Sequence, residues 1–292
     1  LYSYEKLTMD RPAKISVLIP VYNVAPYVGA CLQSICSQTL KDLEIICADD
    51  ASTDESASIV KEWMAKDSRI RLVSAPVNGG ISRTRNLLMK HAGGEFLMMV
   101  DSDDWLEVDA LERMYETACV CGYRYYYEDE PDREDFFLPG SGTDADKSWI
   151  FCTPDTIGKV HHGTNGLMIR RSVVEACGRR FPGGLVCEDM YFHYVTYPFC
   201  KRASIVREPL YVYRKRAGSI TEEFTSGYSL KSLDYVKVAL LILEAWKEDG
   251  LIEEYRTAFL KMLVMSVRNV RKYAPHSEQK DVTRTCLLYT SP

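Results

Sequence analysis

The chain has 292 residues, 46% of them hydrophobic and 26% charged, a composition that suits one large α/β domain with an appendage. Its 36 Lys and Arg against 41 Asp and Glu leave a net charge of −5. That excludes general nucleic-acid binding while allowing a local basic pocket for phosphates. None of the ten cysteines forms a C-x-x-C pair, so zinc-site spacing is absent, and thiols in apolar runs such as Ile46-Cys47-Ala48 read as reduced and buried in a cytoplasmic protein. No signal peptide is visible, and no run approaches the roughly 18 apolar residues of a membrane span. The start at Leu1 rather than Met reads as a fragment. Residues 286–292 read as translated adapter sequence, to which no fold or function is assigned.

In chain order, Ile15 to Val21 is an apolar, β-rich run, and Pro26 to Ser37 reads as a helix with proline in its first turn. Leu43 to Ala48 is a second buried strand. Ser52-Thr-Asp-Glu55 has the form of a capping box, opening a helix with Ile59, Val60, Trp63 and Met64 on one side. Ile70 to Ser74 is a third strand and Ile81 to His91 a third helix, which Ala92-Gly-Gly94 is expected to end as C′ glycines do. Glu95 to Val100 is a fourth strand. The Tyr-, Asp- and Gly-rich stretch from Gly122 to Pro154 has no clear period and is expected to be an irregular connection. Structure resumes over Gly166 to Cys177 and Glu188 to Tyr197. Two amphipathic helices, about Leu230 to Lys247 and Leu251 to Lys272, are expected to pack on the core or on a partner.

Strands alternating with helices predict a mostly parallel, Rossmann-like sheet flanked by helices, with ligands beyond the carboxyl ends of its strands. Asn23, Asp49-Asp50, Asn78 and Asp101 to Asp104 each follow a strand and should gather on that edge. Asp101-Ser-Asp103-Asp104 can place two carboxylates on one hard cation, Mn²⁺ or Mg²⁺, or can form a solvated turn with a helix cap at Asp104. Asp49 and Asp50 can accept hydrogen bonds from a base or ribose, whereas Ser52 and Asp54 read as helix caps. Gly79-Gly80 precedes a helix bearing Arg83 and Arg85, which suits phosphate as well as an ordinary surface helix. Glu188-Asp189 sits in apolar sequence, where burial makes a carboxylate a better base, although a first-turn helix acid has the same form. His193 shares a face with Asp189 and reads as a packed histidine. Tyr213-Arg214-Lys-Arg216 could close over a diphosphate or form a solvated face. The adjacent His161 and His162 are assigned no metal.

Together these stretches resemble the family 2 glycosyltransferases of the GT-A fold. The matching pieces are Ile19-Pro-Val-Tyr-Asn23, Asp49-Asp-Ala-Ser-Thr-Asp54, Asn78 to Asn86, Asp101-Ser-Asp-Asp-Trp105, Glu188-Asp189, and Tyr213 to Arg216 with Ser219-Ile220. They span about residues 14–220, leaving 228–273 as a helical extension. The resemblance implies that Pro20, Tyr22, Asp49 and Asp50 line the nucleotide pocket, with Asp50 on base or ribose, and that Arg85 holds the donor. It implies that Asp101 contacts ribose or metal, Asp103 holds the metal, Arg214 and Arg216 clamp phosphates, and Asp189 is the base. The implied reaction is inverting transfer from a nucleotide-diphospho-sugar, by default UDP-linked, to a glycan or lipid-linked acceptor. Cell-surface polysaccharide synthesis, the inner membrane face and homo-oligomer contact belong to the same implication. His161 to Asn165 departs from the family's pattern and leaves the acceptor open. A nucleotidylyltransferase or a dehydrogenase would need a Gly-rich loop after the first strand, which Pro20-Val-Tyr-Asn23 lacks. A non-catalytic sugar-nucleotide-binding protein would not need both the paired aspartates and Glu188-Asp189.

Overall fold

The computed structural model describes residues 13–117, 119–139, 149–160, 163–219 and 230–273. Expectations placed on His161, His162, Ile220 and residues 286–292 lie outside them. The aliphatic runs become β1 (Ile15–Val21), β2 (Leu43–Asp49) and β4 (Phe96–Met99), buried on both faces, and the partly exposed edge strand β3 (Ile70–Ser74). Between them run helices α1 (Ala25–Cys36), α2 (Ser56–Lys66) and α3 (Ile81–His91). The strands lie parallel in the order β3-β2-β1-β4, closed by antiparallel β9 (Met168–Arg170). The order reverses at β1, and such a switch point leaves a crevice at the carboxyl edge.

Pro20 sits in central β1 without breaking its ladder. Leu18 O accepts from Val100 N, and Val21 O accepts from Asp50 N, so even-numbered residues face β4 and odd-numbered ones β2. The last β1–β4 partner is Leu18, and Pro20 therefore lies where no donor is needed.

Two local readings are corrected. Ser52 and Glu55 make no capping box. The helix starts at Ser56, whose N–H donates to Asp54 Oδ1 at 3.0 Å, and Ser52 Oγ accepts from Asn23 N at 3.1 Å. The serine is drawn to the neighbouring site loop, leaving the aspartate as cap. Gly93 and Gly94 are not left-handed caps either, since the residue ending α3 is extended Ala92. Gly94 is required by close approach, because a Cβ there would stand 2.6 Å from Ser16 N. Its N–H and that of Gly93 donate to Glu44 Oε1, at 2.9 and 2.6 Å.

The stretch expected to be irregular contains a second sheet. Its strands are β5 (Trp105–Leu106), β6 (Cys119–Tyr127), β7 (Asp135–Phe137), β8 (Trp149–Phe151) and β10 (Arg202–Lys215), in the order β5-β10-β6-β7 with β8 on β10. The tyrosines themselves explain it. In β6, alternate residues Tyr123 and Tyr125 share a face with Tyr213 of β10, and Tyr123 stacks on Phe137 at 4.8 Å between centroids. Aromatic cross-strand pairs of this kind stabilise a sheet that has few aliphatic residues.

The chain continues through α4 (Ala110–Thr117), α5 (Arg171–Cys177) and α6 (Glu188–Thr196) to α7 (Asp234–Glu248) and α8 (Ile252–Tyr273). The last two helices pack on the core. Trp246, fully buried, donates its Nε1–H to Tyr194 O of α6 at 3.1 Å, within a cluster that includes Met190, Val195, Ile242 and Phe259. Among the described residues no helix is long and apolar enough to cross a membrane.

Candidate active site

Each loop after a parallel strand delivers its polar residues to the same edge. Asn23 follows β1, and its Oδ1 accepts from Thr53 N of the loop after β2 at 2.9 Å. Asp49 and Asp50 close β2. Asp50 is buried, and its two oxygens accept from Gly79 N at 2.9 Å and Gly80 N at 2.8 Å. Gly80 has φ +80, a conformation open to glycine at little cost. Asp50 thus fixes the turn that starts α3, each of its oxygens accepting from a backbone N–H. Asp49 Oδ1 accepts from Ser52 N at 3.2 Å. The pair borders a cavity of about 260 Å³ that also meets Arg83 and Lys90. Tyr22, 47% exposed, stands at the end of β1.

Arg85 departs most from expectation. It is buried, with Nη2 donating to Asp101 Oδ1 at 2.9 Å and Nη1 to Glu188 Oε1 at 2.5 Å. Two of its nitrogens are thus committed to carboxylates, while its buried Nε has no partner among the described residues. Arg85 ties the loop after β4 to the N-terminus of α6. Burial pushes the Glu188 carboxyl up, Arg85 opposes that, and neighbouring Asp189 adds to it. Asp189 lies in the first turn of α6, half-buried, with Oδ1 accepting from Met190 N at 2.8 Å. His193 is packed, its Nε2 3.2 Å from Ile157 O.

The three aspartates after β4 have separate tasks. Asp104 is buried; its Oδ2 accepts from Tyr211 Oη at 2.6 Å and Asn165 Nδ2 at 3.2 Å, and its Oδ1 from Arg214 N at 2.8 Å. Asp103 Oδ2 accepts from Arg216 Nε at 2.8 Å, and its carbonyl from Arg214 Nε at 2.8 Å. The Arg214 guanidinium lies over Tyr27, Trp105 and Tyr126, at 5.1, 4.8 and 5.3 Å from the ring centroids. Burial, then the charges of its neighbours, raises the carboxyls of Asp103 and Asp104.

Asp101 and Asp103 keep side-chain exposures of 25% and 21%. They are hard oxygen donors whose crowding a cation would offset. Among the described residues no cluster of three His, Cys, Asp or Glu forms a closed metal site. The pair therefore fits Mg²⁺ or Mn²⁺ held by one or two carboxylates with substrate phosphates and water completing the shell.

Tyr211 and Asn165 escape a reading of the chain, because no short-range spacing ties them to the aspartates they hold 61 to 110 residues away. Backbone strain is a further hidden mark. Among the described residues the non-glycine positions with positive φ are Asn23 (49°), Ala51 (60°) and Cys187 (68°). They flank the motifs at Tyr22, Asp50 and Glu188, and such strain clusters at functional sites.

This edge has counterparts in known proteins. The family model described as Glycosyl transferase family 2 matches residues 16–150. EpsH of Bacillus subtilis (strain 168), named a glycosyltransferase, is 32% identical over 266 residues, covering 88% of this chain and 76% of its own. Residues 1–349 of S. aureus TarS, crystallised with UDP-GlcNAc, superimpose with a TM-score of 0.63 at 19% identity, covering 94% of this chain and 90% of that one. The mannosyltransferase PcManGT of Pyrobaculum calidifontis, in complex with GDP-Man and Mn²⁺, gives 0.54 at 15%, covering 96% and 81%. At these identities the two structures speak for the GT-A fold alone. The EpsH likeness, running through the paired aspartates and on past Glu188-Asp189, carries the further conclusion that this chain belongs to glycosyltransferase family 2.

Proposed function

We propose that the enzyme catalyses inverting, metal-dependent transfer of a sugar from a nucleotide diphosphate donor, UDP-linked by default, to a hydroxyl of a glycan or lipid-linked acceptor in cell-surface polysaccharide synthesis. The observation that carries this reading is the Arg85 bridge. It joins Asp101, on the donor edge, to Glu188, the residue beside Asp189. A base and a leaving-group site are thereby held by one buried cation.

Asp189 takes the proton of the acceptor hydroxyl as that oxygen bonds to the anomeric carbon. The bond from that carbon to the diphosphate oxygen breaks, and the nucleotide diphosphate leaves with the electron pair from the opposite face. Configuration inverts without a covalent intermediate. Pro20, Tyr22 and Asp49 line the nucleotide's side of the edge, and Asp50 acts through the Gly79-Gly80 turn. Arg214 and Arg216, already beside Asp103, meet the charge that grows on the diphosphate. Asp101 and Asp103 would hold the divalent cation, whose chemistry is to neutralise that same charge. The reading carries with it a cytoplasmic location on the inner face of the membrane, where a nucleotide donor and a lipid-linked acceptor meet.

Calorimetric titration of UDP-, GDP- and dTDP-sugars, with and without Mn²⁺, tests the donor half. Binding of one donor that needs Mn²⁺ and is lost in Asp103→Ala supports it, whereas equal binding by that variant overturns the metal assignment. Asp189→Asn should keep donor binding and lose about 10²- to 10⁴-fold in transfer. Unchanged transfer would overturn the base assignment.

A further inference from the structure

A further cavity lies away from the donor edge. It is an open cleft of about 600 Å³ between β9, the C-terminal half of α6 and the strands β8 and β10. That is the size of a small-molecule site, and packed interiors rarely leave so large a gap. Along α6 it begins at His193 and runs to Thr196, about 10 Å from Asp189 at 1.5 Å per residue.

Most of the wall is apolar, and several of its polar side chains are held by neighbours. Besides His193, already held by Ile157 O, Thr196 Oγ1 donates to Phe192 O at 2.6 Å and Tyr197 Oη to Thr156 Oγ1 at 2.8 Å. Cys200 Sγ lies 3.7 Å from Thr196 O. The remaining lining includes Val120, Val160, Met168, Val173 and Ala203. A sugar would need several donors and acceptors aimed inward, and those of His193, Thr196 and Tyr197 are committed to neighbours. The rim is different. Lys201 and Arg202 are exposed beside Phe151, itself 63% exposed, and Arg202 lies over the Trp149 ring. Arg170, also at the rim, is paired with Glu95.

We infer that this cavity binds the apolar chain of an anionic amphiphile, with the phosphate or carboxylate head held at the rim by Lys201 and Arg202. An apolar chain gains about 0.8 kcal/mol for each methylene it buries, and a head near two exposed cations completes the complementarity. The inference does not rest on the glycosyl-transfer reading, since none of these residues belongs to the donor edge.

Dodecyl phosphate, kept below its micellar concentration, is the probe for calorimetry on the whole chain. Saturable one-to-one binding is expected, with inorganic phosphate alone not binding. Val173→Trp, which fills the cavity, should weaken the affinity at least tenfold, the equivalent of about two lost methylenes. Lys201→Glu with Arg202→Glu should weaken it about fivefold or more. Ala203→Phe is a second filling variant, and an unchanged melting temperature and nucleotide-sugar binding certify that each variant is folded. Flotation with phosphatidylglycerol vesicles separates the two sources of such a ligand. Vesicle binding lost in Val173→Trp assigns a membrane lipid, and amphiphile binding without vesicle binding assigns a free one. No binding of dodecyl phosphate, or binding indifferent to both filling variants, overturns the inference.

Discussion

The two sheets of this enzyme solve the same packing problem with different residues. In the first, Val, Ile, Leu and Met fill strands buried on both faces, and the helices between them supply the cover. In the second, aromatic rings do the packing, with Tyr123, Tyr125, Tyr213 and Phe137 on one face and Trp105 and Tyr126 with Arg214 on the other. Aliphatic strands hold position but offer no chemistry. The tyrosine-built sheet also brings hydroxyls and a cation to the aspartates, through Tyr211 and Arg214. The first sheet is therefore a frame on which loops end, and the second is itself part of the site.

The largest effect should come from the cation that links the frame to α6. Arg85→Met strands Glu188 and Asp101, and loss of about 3–5 kcal/mol is expected in denaturant unfolding; a cost under about 1 kcal/mol would show that the bridge is not formed in solution. Within the frame, Leu18→Ala should cost about 2–5 kcal/mol with donor affinity unchanged in the folded fraction. In the second sheet the pattern should reverse. Tyr211→Phe should cost only about 1–3 kcal/mol, yet weaken donor binding through Asp104 and Asp101. If Leu18→Ala weakened the donor more than Tyr211→Phe, the division between frame and site would fail. Tyr125→Leu, half-buried among rings, should cost about 0.5–1.5 kcal/mol and leave the donor alone.

The smallest effect is on pH dependence. Asp103, Asp104 and Glu188 are raised in the folded chain, so the folded state holds protons that the unfolded state has released above pH about 4. Their contribution is complete below that pH and is lost as pH rises through the raised values. Asp67 works the other way: Arg69 holds it at about 2, and its contribution is lost as pH falls from about 4 towards 2. Asp104→Asn should therefore flatten the decline of stability above pH 4 by up to about 1.4 kcal/mol per pH unit. A slope identical to that of the native chain would remove Asp104 from this role.

The same contrast explains what could be read from the chain. Runs such as Ile15 to Val21 and Leu43 to Asp49 are local signals, since burial on both faces leaves every residue apolar. The alternation of strand and helix then placed Asn23, Asp49 and Asp101 after strands on one edge. Strand β6 was missed because its apolar character is carried by tyrosines, and because its partner β10 lies some eighty residues on, with a bulge around Pro209. The ion pairs of Arg85 are not legible in the chain, because a helix start after two glycines looks alike whether its arginine points out or in. Only the depth of α3 against Glu188 decides that. Ser52 was similarly equivocal, because a capping serine and one that ties two loops share a sequence.

The left-handed conformations of Asn23, Ala51 and Cys187 bear on how this protein could change. Glycine would adopt each of those angles more easily, so Ala51→Gly relieves a strained backbone while widening what the loop can do. A search for heat-resistant variants that accepted such relief would reach the loops of the candidate site early. It would tend to collect proteins that last longer and turn over less, a trade-off to which strained active sites are prone. Directed evolution of this enzyme would do better to leave those three positions alone and look for gains in the helical core around Trp246.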